Sequence, residues 1–282
     1  MCGNTTMTNW RTLHASVRGN AHHRANLPNQ DAWRIAQAMD QTSLIMALAD
    51  GHGSARSFRS QYGSQLAVIA ARKVCANLCK LNNLALIHDM AQTRLPLELV
   101  RLWRERVDDW IKRYPLDQDP KLAELDSPSQ NILKENKYLA YGSTVLAVMV
   151  TPAFILYLQL GDGDILTVSK TGDVERPFPR DPRLIGNETT SLCSPKAWNE
   201  VQVYFQPLAS SPPALILAAT DGYANSFRDD ASFQKVALDY WTLLREEGES
   251  AVQPSLEEWL NEVSQQGSGD DITVSIAYQE LQ

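Results

Sequence analysis

The sequence predicts an α+β fold: two mostly antiparallel β-sheets packed as a sandwich with a pair of helices over each outer face, an α-β-β-α arrangement of four layers. Three observations carry this. β-rich runs outnumber helical stretches and follow one another with hairpin-like spacing rather than in strand-helix-strand units. The helical stretches fall into two pairs, one after the third strand and one before the last. The 282 residues are 44% apolar and 21% charged, without repeat, low-complexity block or long linker, so a single domain over residues 10–282 with a sizeable core is expected.

In chain order, Thr12–Val17, Trp33–Ala38 and Ser43–Ala49 read as strands, the third stopping at the turn Asp50-Gly51-His52-Gly53. Ser57 to Leu81 then places Leu66, Ile69, Ala70, Val74 and Leu78 at helical spacing, and Leu97 to Tyr114 repeats the pattern with Leu99, Leu102, Trp103, Val107 and Trp110. Pro115 to Lys137, rich in Asp, Pro, Ser and Asn, reads as a surface loop. Beyond it, Ser143–Val150, Phe154–Leu160, Asp164–Ser169, Val201–Phe205 and Leu215–Ala219 are expected strands. Helices near Ser232–Glu246 and Ser255–Gln265 and a closing strand Ile272–Tyr278 complete the plan.

Charge and cysteine content exclude several classes. With 26 Lys and Arg against 33 Asp and Glu, the formal net charge is −7, which repels a nucleic-acid backbone. The four cysteines form no C-x-x-C pair, so neither a disulfide framework nor a zinc knuckle is expected, and a reducing compartment fits best. Cys75 and Cys79, at i, i+4 on an apolar helix, read as small hydrophobes. The first ten residues are polar, and the longest apolar runs, such as Leu44–Ala49 and Ala214–Ala219, are far below a membrane span; the expectation is a soluble, cytoplasmic protein. Cys2 stands where myristoylation needs glycine. The acids Asp117, Asp119, Glu124 and Asp126 lack the central glycine of a calcium loop, and neither a P-loop nor a serine-hydrolase elbow is present.

The chemistry lies in the positions of the acids. Asp50, Asp162 and Asp221 each stand at or just beyond the end of an apolar strand and are followed by glycine, and Asp270-Asp271 precedes the last strand. The strand holds each aspartate rigidly, while glycine permits close backbone approach. Converging carboxylates repel, and divalent cations remedy that. Oxygen ligands without Cys or paired His select Mg²⁺ or Mn²⁺ over zinc. His52, inside the first acidic turn, is expected to have its protonated form favoured by the neighbouring acids, which suits a general acid.

These residues resemble the metal-dependent protein phosphatases of type 2C, in particular the bacterial stand-alone subgroup. The resemblance rests on an ordered set: Pro28-Asn29-Gln30-Asp31-Ala32, Ala49-Asp50-Gly51-His52-Gly53, Gly142-Ser143-Thr144, Leu160-Gly161-Asp162-Gly163-Asp164, Gly186-Asn187-Glu188-Thr189, Ala219-Thr220-Asp221-Gly222-Tyr223 and Gly267-Ser268-Gly269-Asp270-Asp271. It implies a two-sheet sandwich flanked by helix pairs and hydrolysis of phosphoserine or phosphothreonine in proteins, opposed by a Ser/Thr kinase, with two Mn²⁺ or Mg²⁺ ions and a weaker third. By resemblance, Asp50 would bridge two ions, the Gly51 carbonyl would bind one of them, and Asp221 with Asp270 would complete the other site. Asp162 would hold the third ion, Asp31 a water at the metal centre, and His52 would be the acid. The stretch Arg176 to Ser194 lies where the family carries a flap.

Three departures stand out. Gln30 replaces the usual acid before Asp31, Asn26 occupies the place of the phosphate-binding arginine, and Asn225 replaces an acid four residues after Asp221. Arg24 is the favoured substitute over Arg18 for gripping phosphate, with His22 as a second donor. Gln30 and Asn26 motivate the alternative of a catalytically impaired relative that binds phosphoproteins or acts as a scaffold. A hydrolase of small phosphate esters is a third reading.

Overall fold

The computed structural model describes residues 10–38, 42–180, 189–208 and 212–280. β1 (Trp10–Val17) leads into a short helix α1 (Asn20–Ala25), followed by β2 (Ala32–Gln37) and β3 (Leu44–Ala49). Helices α2 (Ser60–Leu78), α3 (Leu84–Thr93) and α4 (Leu95–Arg113) come next, then α5 (Pro120–Glu124) and α6 (Ser127–Glu135). β4 (Val145–Val150), β5 (Phe154–Leu160), β6 (Asp164–Val168), β7 (Val174–Glu175), β8 (Gln202–Pro207) and β9 (Leu215–Ala219) follow. The chain closes with α7 (Asp221–Ala224), α8 (Asp230–Glu246), α9 (Glu249–Gln266) and β10 (Ile272–Gln279).

Among the described residues two five-stranded sheets form, ordered β1-β10-β9-β6-β7 and β2-β3-β4-β5-β8, with every pairing antiparallel. β3, β4 and β9 are buried along their whole length, as their unbroken apolar sequences require of strands covered on both faces. Alternation then sorts the side chains. Leu44, Met46 and Leu48 of β3 meet Ile155, Ile165, Ile216 and Ala218 between the sheets, while Ile45, Ala47 and Ala49 point the other way into the cluster that holds α2 and α4. The small residues Ala67, Ala70 and Ala71 of α2 let that helix lie close on the sheet. Phe233, Ala237, Trp241 and Leu244 of α8 and Val252, Leu256 and Leu260 of α9 cover the outer face of the other sheet. The four layers are those expected.

The helical content differs from the sequence reading in places. Pro115 to Lys137 is not a plain loop: α5 and α6 form inside it, capped by Asp119 and Asp126, whose side chains accept from the Lys121 and Ser129 amides. Those two acids of the apparent calcium loop are therefore caps. α1, α3, α7 and β7 were unexpected, and α9 begins six residues earlier than Ser255. Trp103 is fully buried, Cys75 is a buried free thiol, and the Cys79 thiol donates to Met149 Sδ at 3.5 Å. Cys2 and Gly186, Asn187 and Glu188 of the family-like motif lie outside the described residues. Among the described residues no helix is long and apolar enough to cross a membrane.

Candidate active site

Strand register brings the acidic turns to one rim. Ala32 pairs with Ala49 and Leu160 with Val145, so Asp31, Asp50 and the Gly161-Asp162 turn sit at the same end of one sheet. In the other sheet Asp164 pairs with Ala219 and Val17 with Ile272, which sets Thr220-Asp221 beside Asp270-Asp271 at the matching end. Antiparallel pairing does this for turns that lie far apart in sequence.

The turns are built by short backbone links. The Asp50 amide donates to Thr144 Oγ1 at 3.0 Å and its carbonyl accepts from the Thr144 amide at 2.9 Å. Gly51 bridges to Ser143 and lies so close to Gln30 O and Ser60 that an added Cβ would come within 2.8 Å of both. Gly161, at φ 108°, adopts a backbone conformation closed to most other residues, which turns Asp162 inward from β5. Asp31 sits in a turn closed by its own amide donating to Asn29 Oδ1 at 2.9 Å, and Thr220 Oγ1 donates to Asp31 Oδ2 at 2.8 Å.

The five predicted acids sense one another. Burial pushes the Asp50 carboxyl well above the usual carboxylate range, reinforced by Asp31, Asp221, Asp270 and Asp162. Burial raises Asp31 to about 8, with Asp271 and Asp221 adding to it, and raises Asp221 to about 7, with Asp162 and Asp270 adding. Interaction with the Asp50 carboxyl tempers the rise at Asp221. Asp162 and Asp270 are raised by burial too, opposed by Thr189 at the first and by the Asp271 amide and His22 at the second. Asp31 Oδ1 and Gln30 Oε1 are buried acceptors without a hydrogen-bond partner among the described residues. Mutually repelling carboxyls with orphaned oxygens suit divalent cations, and the predominance of oxygen donors suits hard ones.

His52 departs from its expected protonation. Burial lowers it to about 4, and the acids do not offset this. Its Nε2 shares a 2.7 Å hydrogen bond with Ser191 Oγ, and its ring packs where a side chain on Gly142 would lie. His22 Nδ1 hydrogen-bonds Asp271 Oδ2 at 2.8 Å, which raises its pKa, and its Nε2 lies 3.8 Å from Asp270 Oδ1. Arg24 is exposed on α1, while Arg18 donates to the His22 carbonyl at 3.0 Å. Asn26 ends α1 in the left-handed conformation at φ 53°, which asparagine tolerates and arginine does not favour. Asn225 donates to Asp221 Oδ2 at 2.9 Å.

Sequence reasoning missed the supports. Asp271 is buried and accepts from the Gly19 and Gln30 amides, each at 2.6 Å, as well as from His22, tying three segments together. Its signal was the Asp270-Asp271 doublet, of which the second acid enters a buried strand. Thr144 and Thr220 lie within the quoted motifs; Ser191 carried no signal. The flap-like stretch is anchored at both ends. Arg176 Nε donates to Asp164 Oδ1 at 2.6 Å and its other nitrogens to Asp230, and Arg104 donates to the Ser194 carbonyl at 2.6 Å.

A family model described as Protein phosphatase 2C matches residues 18–261. No curated protein matches the sequence. Among solved structures, the serine/threonine phosphatase Stp1 from Staphylococcus aureus is 15% identical with TM-score 0.59, the match covering all of both chains. The S. agalactiae serine/threonine phosphatase is 17% identical with TM-score 0.59, covering 96% of this chain and 100% of that one. The catalytic domain of the phosphatase PstP, in complex with two manganese ions, is 17% identical with TM-score 0.56, covering 95% and 97%. At these identities the likeness shows the fold.

Proposed function

The chain belongs to the protein phosphatase 2C family, and from that premise we propose that it is a metal-dependent serine/threonine protein phosphatase acting on phosphorylated proteins, the counterpart of a Ser/Thr kinase. The observation that carries this is the convergence of Asp31, Asp50, Asp162, Asp221 and Asp270, with every carboxyl pushed upward by burial. Asp50, the Gly51 carbonyl, Asp221 and Asp270 would hold two Mn²⁺ or Mg²⁺ ions, and Asp162 a weaker third. Such ions, when bound, acidify water and offset phosphoryl charge.

The chain's own residues do the rest. Asp31, steadied by Thr220 at Oδ2, offers Oδ1 as acceptor for a proton of the attacking water. His52, anchored at Nε2 by Ser191, gives a proton to the departing serine or threonine oxygen. A bound phosphate dianion raises this otherwise neutral imidazole by placing negative charge beside it. Arg24, exposed on α1, reaches for the phosphate.

Manganese-dependent hydrolysis of a phosphothreonine peptide tests the proposal. Activity should vanish in EDTA and fall on the order of 10²-fold or more in Asp50→Asn and Asp221→Asn. Turnover that survives both would refute it. Phosphopeptide binding without turnover would favour the phosphoprotein-binding alternative that Gln30 and Asn26 suggest.

A further inference from the structure

We infer that His22 is a nitrogen ligand of the cation held by Asp270, and that this imidazole tilts the site toward Mn²⁺ and other first-row transition ions over Mg²⁺. The inference rests on the reading of Asp270 as a cation ligand given above.

Three features of the geometry carry it. First, the two ring nitrogens are differentiated. Asp271 Oδ2 lies 2.8 Å from His22 Nδ1, and the same buried carboxylate also accepts from the Gly19 and Gln30 amides. A carboxylate in that role keeps the ring proton on Nδ1 and leaves the lone pair on Nε2. Second, Nε2 lies 3.8 Å from Asp270 Oδ1, an oxygen that also accepts from the Asp271 amide at 2.8 Å. That separation exceeds a hydrogen bond. Two donors each about 2.1 Å from one ion stand at most about 4.2 Å apart, so the gap accommodates a shared cation. Third, among the described residues His22, Asp270 and Asp271 are the one group of three whose ligand atoms all lie within 4.8 Å of one another.

A carboxylate behind one imidazole nitrogen with a metal on the other is the arrangement that fixes ring orientation in metal sites. It divides the labour between adjacent acids: Asp270 faces the ion and Asp271 holds the histidine. Imidazole suits transition ions, whereas Mg²⁺ prefers oxygen, so one nitrogen ligand shifts selectivity.

Pulsed electron paramagnetic resonance of the Mn²⁺-loaded protein reads this directly. Wild type should show nitrogen hyperfine coupling that changes with ¹⁵N-histidine labelling. His22→Gln should abolish it, and His52→Gln should retain it. By calorimetry, His22→Gln should weaken Mn²⁺ about 10-fold or more while changing Mg²⁺ less than about 3-fold. Wild-type Mn²⁺ bound without nitrogen coupling, coupling that persists in His22→Gln, or equal losses for the two ions would overturn the inference while leaving the phosphatase reading intact. If His22→Gln fails to fold, the wild-type spectrum alone decides. A wild type that binds neither Mn²⁺ nor Mg²⁺ overturns both readings.

Discussion

Asp50, Asp162, Asp221 and Asp270 were legible as candidates because a glycine or a second acid beside a strand end is a local signal. Asp271 and Ser191 were not, since what they do depends on partners far away in sequence: Asp271 on Gly19, His22 and Gln30, Ser191 on His52 and Ser143. The protonation of His52 was misread for a related reason. Proximity in sequence to Asp50 suggested an electrostatic gain, but burial of the ring dominates and lowers it to about 4. If His52 protonates the leaving group, His52→Gln should reduce hydrolysis of a phosphothreonine peptide by roughly 10²-fold or more, and of an aryl phosphate far less, because a phenolate needs little protonation. Equal losses on the two substrates, measured as kcat/KM, would remove the acid role.

Periodicity revealed α2, α4 and α8 because each buries a full stripe, such as Leu99, Val100, Trp103 and Val107 of α4. It missed α5, which buries no side chain, and α6, which buries Leu133 alone. Those helices exist through caps and through a tether. Arg59, just before α2, donates to Asp119 at 2.7 Å, to the Tyr114 and Pro115 carbonyls at 2.6 and 3.1 Å, and to Tyr141 Oη at 2.7 Å. The same guanidinium thus fastens the start of the inserted segment to its end, next to Gly142 and His52. Arg59→Met should destabilise the protein by about 3 kcal/mol, because Asp119 loses its partner in a largely buried setting. Urea unfolding checks this, and a change within about 0.5 kcal/mol would show that α5 and α6 stand without the tether.

Across the whole molecule the two sheets bring like charges to one rim, so stability should depend on pH and, on the function proposed above, on metal. Asp31 at about 8 and Asp221 at about 7 keep protons in the folded chain that an unfolded chain gives up near pH 4. The folded state therefore binds more protons between those values, and its stability falls as pH rises through that window. In EDTA the Tm should drop from pH 5 to pH 8. Mn²⁺ should raise it, and by more at the higher pH, where the carboxylates are charged. A metal-free Tm that is flat or rises over this range would contradict the account. Strand alternation, helical periodicity and the strand-end acids are local properties, written into short stretches of chain, and from them came the four layers and the candidate acids. Register, burial and the partners of each side chain arise only when β1 meets β10 and β2 meets β3, since antiparallel pairing joins residues some 260 positions apart in the first case. Hence the folded chain alone shows Asp271 as the hub of the candidate site, His52 as a part-buried ring whose pKa burial lowers and His22 turned toward Asp270.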